Sequence, residues 1–231
     1  MTIQMYDLCG AEADRRFSPF CWRTRLALAH KQLDHETIPW RFTEKDVLAA
    51  LGSEKVPVII DGDRTINDSW RIAEYLEDTY PDSPTLFPGG RGEAFFVKSW
   101  SETVLSAGIS PLVIFDIHQH LGPEDQAYFR PAREPRFNAR LEDVQASRDE
   151  RVVGFRTTLN PLRATLAAQD WIAGDQPGFS DHMCFAPFMW ARGISSFRLL
   201  AADDPLNDWR DRMLDLYGGL GRNSPGYDWQ D

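Results

Sequence analysis

The fold is decided by the stretch Lys55-Val56-Pro57-Val58-Ile59-Ile60-Asp61-Gly62-Asp63-Arg64-Thr65-Ile66. Two short runs rich in strand-forming residues flank Asp61-Gly62. An Asp-Gly pair readily supplies the positive φ angles of a two-residue turn, so the stretch predicts a β-hairpin. Asn67-Asp68-Ser69-Trp70 follows directly, and capping residues of this kind predict a helix from Asp68 to Tyr80. A hairpin that leads straight into a helix indicates a mixed α/β unit.

The residues before the hairpin continue the α/β pattern. Residues 3–8 alternate apolar and polar side chains, which predicts a strand. Ser18-Pro19 predicts the start of the first helix, because serine is a preferred N-cap residue and proline is tolerated at the first helical position. A second strand is predicted over residues 34–38 and a short helix over residues 43–51. The predicted order is therefore strand, helix, strand, helix, hairpin, helix.

The composition changes between Tyr80 and Gly90, where prolines and glycines forbid a continuous helix or strand. We place a domain boundary there, which divides the chain into an α/β domain of residues 1–81 and an all-helical domain of residues 82–231. The helical periodicity of the second part predicts six helices, over residues 93–107, 110–121, 138–152, 157–169, 179–192 and 208–217. The helix at 179–192 is apolar almost all round, so we expect it to be central and buried.

Composition and charge limit the classes of function. The chain has 231 residues, of which 42% are hydrophobic and 26% are charged, as in an ordinary globular protein. Its 25 basic and 35 acidic residues give a net charge of −10, which opposes binding to nucleic acid. The densest basic cluster lies between Arg130 and Arg140. Pro131 and Pro135 interrupt the helix that would align its arginines, so we expect a solvated loop there.

The sequence also argues against a membrane or metal function. No apolar run reaches the ~18 residues of a membrane span, and the first residues lack the features of a secretion signal, so we expect a cytoplasmic protein without a membrane partner. Cys9, Cys21 and Cys184 are scattered and odd in number, which favours free thiols. His118 and His120 would point to different faces of a helix, so no metal site is expected.

Three short motifs in the first domain are suited to chemistry. The first is Ser18-Pro19-Phe20-Cys21, which places a hydroxyl at a helix N-terminus, where free N–H groups and the helix dipole favour an anion. Ser18 either only caps this helix or donates a hydrogen bond to a bound thiolate. Cys21, one turn later, is expected to be a buried structural thiol.

The other two motifs are suited to holding a peptide-like ligand. Lys55-Val56-Pro57 begins a strand with proline, and a cis Val56–Pro57 bond would turn the Val56 backbone outward to pair with an extended ligand. Asp68-Ser69 opens a helix: Ser69 and the helix N-terminus suit an α-carboxylate, and Asp68 suits an ammonium group. The alternative for each motif is structural, namely an edge strand that starts with proline and an ordinary helix cap.

The three motifs, in this order and followed by a proline-rich linker and a helical half, resemble the glutathione transferase family. The resemblance covers essentially the whole chain. It implies a thioredoxin-like α/β N-terminal domain that binds glutathione as co-substrate, and an all-α C-terminal domain that covers a hydrophobic aromatic electrophile. It further implies a homodimer.

A narrower resemblance is to the bacterial glutathione-dependent β-etherases, which cleave lignin-type aryl ethers, and to their fungal relatives. It rests on residues 3–8, 18–24, 68–76, 141–146 and 203–209. Two departures accompany it. Those etherases generally have a longer C-terminal tail, so we expect a different rim of the electrophile pocket. The Ser or Thr that begins the family's capping motif is replaced by Gly178, so no side-chain cap is expected from that position.

The resemblance assigns roles to the residues of the three motifs. Ser18 would stabilise the glutathione thiolate. Val56 and Pro57 would hold the backbone of the tripeptide, and Asp68 and Ser69 would bind its γ-glutamyl end.

Roles for other side chains stay open between function and structure. Arg41 and Lys55 are candidates for the glycyl carboxylate, or else solvated surface charges. Tyr6 is a rival donor to the thiolate, although its place inside a strand favours core packing. The candidates for the electrophile pocket, which at helical spacing are also candidates for the core, are Tyr6, Phe20, Phe115 and Trp190.

These assignments predict a glutathione transferase whose thiolate attacks an electrophilic carbon of an aromatic substrate. The specific form of the hypothesis is cleavage of a β-aryl ether with release of a phenol. Two other classes stay open. A thiol-disulfide oxidoreductase shares the fold but needs a cysteine where Ser18 stands. A non-catalytic protein that binds glutathione or aromatic ligands would use the same residues.

Overall fold

A four-stranded mixed sheet organises the first domain in the computed structural model, which describes residues 2–228. The strands are β1 (Ile3–Leu8), β2 (His35–Trp40), β3 (Val58–Asp61) and β4 (Arg64–Asn67). Their order across the sheet is β2-β1-β3-β4. β1 pairs in parallel with β2 and antiparallel with β3, and β3 pairs antiparallel with β4. The strands predicted from the sequence are therefore confirmed.

The hairpin between β3 and β4 is also confirmed, with its turn one residue later than predicted. Asp61 is paired with Arg64, so Gly62 and Asp63 are the central residues of the turn. Gly62 has a φ of 61°, an angle that glycine adopts without the steric cost that a side chain brings. Glycine at the first central position is what one of the two preferred hairpin turns requires.

Three helices complete the first domain: α1 (Pro19–His30), α2 (Lys45–Ala49) and α3 (Ser69–Thr79). α1 and α3 pack against each other. The register of the hairpin places Asn67 opposite Val58, so the start of α3 lies beside the segment that leads into β3. The sheet therefore brings two of the three chemical motifs together.

The second domain consists of helices throughout. They are α4 (Arg91–Trp100), α5 (Ala107–Gln119), α6 (Pro123–Phe137), α7 (Leu141–Ala146), α8 (Arg148–Thr158), α9 (Asn160–Ala168), α10 (Phe179–Ile194) and α11 (Leu206–Gly219). A π-helical segment, Ser101–Ser106, joins α4 to α5 without a break. Within residues 2–228, no helix combines the length and the apolarity needed to cross a membrane.

Helix α6 corrects the prediction of a solvated loop between Arg130 and Arg140. Pro131 and Pro135 lie inside this helix, and both are exposed. A proline removes the hydrogen bond to the carbonyl four residues earlier. Because both prolines lie on the solvent side, water can bond the carbonyls that they leave free. Asn138, with a φ of 49°, ends the helix in the left-handed conformation.

The two domains pack through α1 and α10, and α10 is buried, as its apolar sequence predicted. Almost every residue of α10 is buried, and α1 lies against it. Arg23 of α1 is fully buried in this contact, and its Nη1 lies 2.7 Å from Glu102 Oε1 in the π-helical segment. Pairing of this kind offsets the cost of burying the arginine charge.

A chain of hydrogen bonds also crosses the domain contact. His30 Nε2 lies 2.9 Å from the Thr85 carbonyl, which can only accept, so Nε2 carries the proton. His30 Nδ1 then accepts from the Tyr217 hydroxyl at 2.9 Å, and the Tyr217 oxygen accepts from His182 Nε2 at 2.8 Å. His182 Nδ1 has no partner among residues 2–228. Burial lowers the pKa of His30 and lowers that of His182 well below the ordinary value, so both rings are neutral.

This network predicts a loss of stability in mild acid. Since both pKa values are lowered by folding, the unfolded chain takes up protons first as the pH falls below about 6.5. The contribution of the two neutral histidines to the free energy of unfolding is complete above that pH. It is lost progressively as the pH falls toward their lowered pKa values. We expect His182→Leu to make the slope of the unfolding free energy against pH shallower, by up to about 1.4 kcal/mol per pH unit below pH ~6.5. Urea titrations of both proteins at several pH values measure this, and parallel curves would contradict it.

Candidate functional site

The N-terminus of α1 places a hydroxyl in the wall of a cavity. Ser18 has extended backbone angles, its carbonyl accepts from Trp22 N–H at 2.9 Å, and its Oγ accepts from Cys21 N–H at 3.3 Å. The side chain is buried against the protein yet lines a cavity. Because Oγ acts as an acceptor toward the helix, its hydrogen can be donated to a ligand. The helix dipole favours an anion at the same point.

The cavity that Ser18 lines has a volume of about 780 Å³ and lies between the two domains. This size is typical of sites for small organic ligands. The first domain contributes Leu8, residues 17–20, Trp40, Phe42, Lys45, Ala49 and residues 53–56. The second domain contributes Ser106, Ala107, Ser110, Ile114, Ile117, Tyr128, Phe129, Arg133, Arg136, Phe137 and Trp190.

The Val56-Pro57 and Asp68-Ser69 motifs lie next to each other, and β3, which follows Pro57, is an inner strand between β1 and β4 and not an edge strand. The Val56–Pro57 bond is cis, and Val56 lines the cavity. The β3–β4 register continues toward Asp68 opposite Pro57. Asp68 has a φ of 70°, and its Oδ1 accepts from the Trp70 and Arg71 N–H groups at 3.0 and 3.1 Å. Ser69 is 2% exposed at the start of α3. Val56 lines the cavity, whereas Pro57, Asp68 and Ser69 are not among the residues that line it.

The structure separates the two candidate cations of the first domain. Lys55 lines the cavity. Arg41 lies outside the cavity wall, with Nη1 3.4 Å from Glu44 Oε1 and Nη2 3.5 Å from the Ala11 carbonyl. Arg41 is therefore engaged with Glu44 and with the loop after β1, whereas Lys55 lies in the cavity wall, where a ligand can reach it.

The four candidates for an aromatic pocket also divide. Phe20 and Trp190 line the cavity, Phe20 with 40% of its surface exposed. Tyr6 and Phe115 do not line it. Tyr6 is half-buried in β1, and Phe115 packs its ring on His118 at 6.0 Å. The structure therefore does not bring Tyr6 and Phe115 to the cavity.

Sequence reasoning missed the aromatic cluster at the centre of the cavity. Phe42 packs against Phe129 at 5.6 Å and Tyr128 at 6.0 Å between ring centroids, and the Arg133 guanidinium lies 5.0 Å above the Phe129 ring. Phe129, Arg133 and Arg136 are spaced as on one face of a helix, and this spacing could have predicted the cluster. Pro131 and Pro135 instead led to the prediction of a loop.

One further hydroxyl of the cavity has no partner. The buried Oγ of Ser106, the last residue of the π-helical segment, bonds to no group among residues 2–228. Ser106 lines the cavity together with Ser110, one turn later. π-Helical turns within α-helices occur frequently at functional sites. Its hydroxyl can bond an oxygen of a bound ligand.

Cys21, beneath Ser18, is not a reactive thiol. It is fully buried, and burial raises its pKa well above the ordinary value, with a further contribution from the Asp7 carboxyl. Asp7 is itself fully buried, with Oδ2 3.6 Å from Arg16 Nη1 and 3.9 Å from Arg25 Nη1, and burial raises its pKa. A thiol of this kind stays protonated and is a poor nucleophile. No group of three or more metal-binding side chains is present within the described residues.

The fold and site together define a class. The class is that of two-domain proteins with a thioredoxin-like first domain and an all-helical second domain. The cavity lies at the junction of the two domains. Residues 17–79 match the N-terminal domain of glutathione S-transferases, and residues 93–211, about half of the chain, match their C-terminal domain. The chain therefore belongs to the glutathione S-transferase family.

Individual relatives agree with this assignment. Glutathione S-transferase Z2 of Arabidopsis thaliana is 35% identical over 96 residues, which are 38% of this chain and 41% of that protein. The probable maleylacetoacetate isomerase of Vibrio cholerae is 30% identical over 156 residues, 62% of this chain and 72% of that protein. The crystal structure of glutathione S-transferase CsGST83044 of Ceriporiopsis subvermispora, in complex with glutathione, has a TM-score of 0.76 at 25% identity. That match covers 95% of this chain and 94% of the other.

Proposed function

We propose that the protein is a glutathione transferase in which the glutathione thiolate attacks an electrophilic carbon of a hydrophobic aromatic substrate. The observation that carries the proposal is the position of Ser18, whose hydroxyl lies at a helix N-terminus and lines a cavity with walls from both domains. The relative from Ceriporiopsis subvermispora with glutathione bound supports the choice of thiol.

Glutathione would lie along the edge of the first domain. The Val56 backbone, presented beside the cis Pro57 bond, would pair with the tripeptide. The N-terminus of α3 with Ser69 would bind the α-carboxylate of the γ-glutamyl end, and Asp68 its ammonium group. Lys55 would bind the glycyl carboxylate, with Arg41 as the second candidate once it leaves Glu44. This orientation directs the sulfur toward Ser18.

Positioning contributes more to the rate than ionisation does. Lowering a thiol pKa from ~8.5 to ~6.5 raises the thiolate fraction at neutral pH from ~3% to ~75%. The accompanying loss of nucleophilicity over those two units is roughly 6- to 10-fold, so the net gain is only about threefold. Holding two reactants in the correct orientation gives effective molarities that raise the rate far more than this threefold gain. The main task of the cavity is therefore to hold sulfur and carbon in line.

We propose a β-aryl ether as the specific electrophile. In this reaction the sulfur forms a bond to the carbon that bears the aryloxy group, the C–O bond breaks, and the leaving phenolate takes up a proton from solvent. The aromatic wall of Phe42, Phe129 and Trp190 supports the choice of an aryl group. The free Ser106 hydroxyl would donate to an oxygen of this substrate.

The two competing classes fit the site less well. A dithiol cycle needs a reactive cysteine at the helix N-terminus, and here a serine stands there with the protonated, buried Cys21 behind it. A carrier of aromatic ligands would use the same cavity, but it has no need of a hydroxyl donor at a helix N-terminus. A lowered pKa of bound glutathione distinguishes the transferase from the carrier.

We further propose a homodimer that forms through α4. Phe95 and Phe96 on this helix are 52% and 72% exposed, and Trp70 of α3 packs against Phe95 at 5.3 Å. Exposed aromatic residues next to one another favour a protein contact. The cytoplasmic location stays a prediction from the sequence.

Replacing Ser18 tests the assignment of the thiolate donor. We expect Ser18→Ala to raise the pKa of enzyme-bound glutathione by about 1–2 units and to lower kcat/KM at neutral pH about tenfold, because both ionisation and aim of the sulfur depend on the hydroxyl. Ultraviolet absorbance of the thiolate against pH measures the first effect. Ser18→Thr keeps the hydroxyl and the helix cap and serves as the control. An unchanged pKa in Ser18→Ala would move the role to Tyr6 or to backbone amides.

Product analysis tests the ether substrate. Incubation with glutathione and a β-aryloxy ketone should release one phenol for each glutathione thioether formed, and omission of glutathione should abolish release. Liquid chromatography with mass detection quantifies both products. Conjugation of a chlorinated aromatic without any phenol from the ether would remove the etherase proposal and leave the transferase.

The dimer is tested by placing a charge in the α4 patch. Phe96→Glu should raise the dimer dissociation constant at least about 100-fold, because an unpaired carboxylate is costly to bury. Val153, 64% exposed on α8, provides the control Val153→Glu, which should leave the dimer intact. Analytical ultracentrifugation measures both. A monomeric wild-type protein, or a Phe96→Glu dimer of unchanged affinity, would refute the proposal.

A further inference from the structure

The charges that line the cavity are mainly positive, although the chain as a whole is negative. Lys45, Lys55, Arg133 and Arg136 line the cavity, against the single acidic residue Glu54. The chain carries a net charge of −10, so its overall field repels anions. Local cations at the cavity therefore point to a ligand that is itself anionic.

Arg133 is the cation whose surroundings are most specific. It is half-buried, its guanidinium lies 5.0 Å above the Phe129 ring and 5.7 Å above the Phe42 ring, and it bonds to the Tyr128 side chain. Burial and the nearby Arg136 lower its pKa. Within residues 2–228 no carboxylate pairs with Arg133 or Arg136. Two neighbouring arginines without an acid are unfavourable to each other, and a bound anion would relieve this.

Arg130 on the same helix shows the contrasting arrangement. Its guanidinium bonds to Glu134 Oε1 at 2.8 Å and makes two bonds to Glu142, at 2.8 and 2.9 Å. It does not line the cavity. Helix α6 therefore pairs the arginine that faces away from the cavity and leaves the two that line it without an acidic partner.

The position of α6 over the first domain is fixed by polar contacts. The buried carboxylate of Asp125 accepts from Thr43 N–H at 3.0 Å and from the Thr43 hydroxyl at 2.9 Å. Lys45 Nζ lies 4.3 Å from the centre of the Tyr128 ring. These contacts join α6, which carries Arg133, to the part of the first domain that carries Phe42.

We propose that the aromatic electrophile carries a carboxylate, which Arg133 binds in a charge-assisted hydrogen bond, with Arg136 as a second and more exposed partner. This inference rests on the proposed transferase function and specifies its substrate class. In the proposed site the carboxylates of glutathione would have separate partners on the first domain, namely Lys55 and the N-terminus of α3. The two arginines of α6 are thus left for the second substrate.

A matched pair of electrophiles tests the inference. The probes are 4-chloro-3,5-dinitrobenzoate and its methyl ester; in both, the sulfur bonds to the ring carbon, chloride leaves, and the thiol proton goes to solvent. Each kcat/KM is divided by the uncatalysed rate constant, and the ratio of acid to ester is the acid preference. We expect Arg133→Gln to lower this preference about 10- to 100-fold and Arg136→Gln to lower it less. Arg140→Gln, with a side chain 68% exposed, is the control and should not change it.

Calorimetry provides a readout that is independent of turnover. Unreactive 3,5-dinitrobenzoate should bind to the wild-type protein. Arg133→Gln should weaken this binding by a factor similar to the loss of acid preference and should leave binding of the methyl ester unchanged. Binding of the acid without conjugation of either chlorinated probe would contradict the proposed transferase function and support the anion site. Conjugation with no acid preference, or a preference unaffected in Arg133→Gln, would overturn the inference. A raised KM for glutathione with an unchanged preference would overturn it too and assign the arginine to glutathione.

Discussion

In the first turn of α10, the carboxylate of Asp181 accepts four N–H hydrogen bonds, which hold the start of this central helix in place. The donors are the backbone N–H groups of Ile172, Ala173 and Gly178, at 2.8, 3.1 and 3.2 Å, and the Trp209 indole at 3.1 Å. Burial raises the pKa of this carboxyl, while the four donors favour its charged form. The carboxylate joins the loop before α10 to α11 and satisfies groups that water cannot reach. Gly178 has no side chain with which to cap α10. A larger residue does not fit there, because its Cβ would lie 2.8 Å from Ala173 Cβ and Pro88 Cδ.

Once α10 is fixed, the geometry of the site follows from packing. α1 lies against α10, so the N-terminus of α1 with Ser18 faces the second domain, and Trp190 near the end of α10 completes the same wall. Several polar groups near this contact have partners across it, namely those of the Arg23–Glu102 pair and of the His30–Tyr217–His182 chain. The cavity therefore lies at a junction that buried polar contacts hold in one arrangement, which suits a site whose main task is orientation.

The sequence predicted what depends on local backbone chemistry. Ser18-Pro19, Val56-Pro57 and Asp68-Ser69 each describe one turn or one helix end, and the structure has those features where the sequence placed them. It could not predict what depends on how distant segments meet. Phe42 and Phe129 are far apart in the chain, and α6 itself was missed because two prolines outweighed its helical spacing. Tyr6 and Phe115 have the right chemistry for a pocket, but their elements turn them elsewhere.

The parts of the site proposed for the thiol and for the electrophile are built from different kinds of groups. The part proposed for the thiol is built from the N-terminus of α1, the segment that leads into β3 and the N-terminus of α3, so its hydrogen bonds come largely from the backbone. The part proposed for the electrophile is built from side chains on α6, a helix joined to the first domain through the Asp125–Thr43 contact. A change of side chain at Phe129 or Arg133 alters the shape and charge offered to the second substrate while leaving those backbone groups in place. Selectivity for the electrophile therefore depends on residues whose contacts are separate from those that hold the thiol.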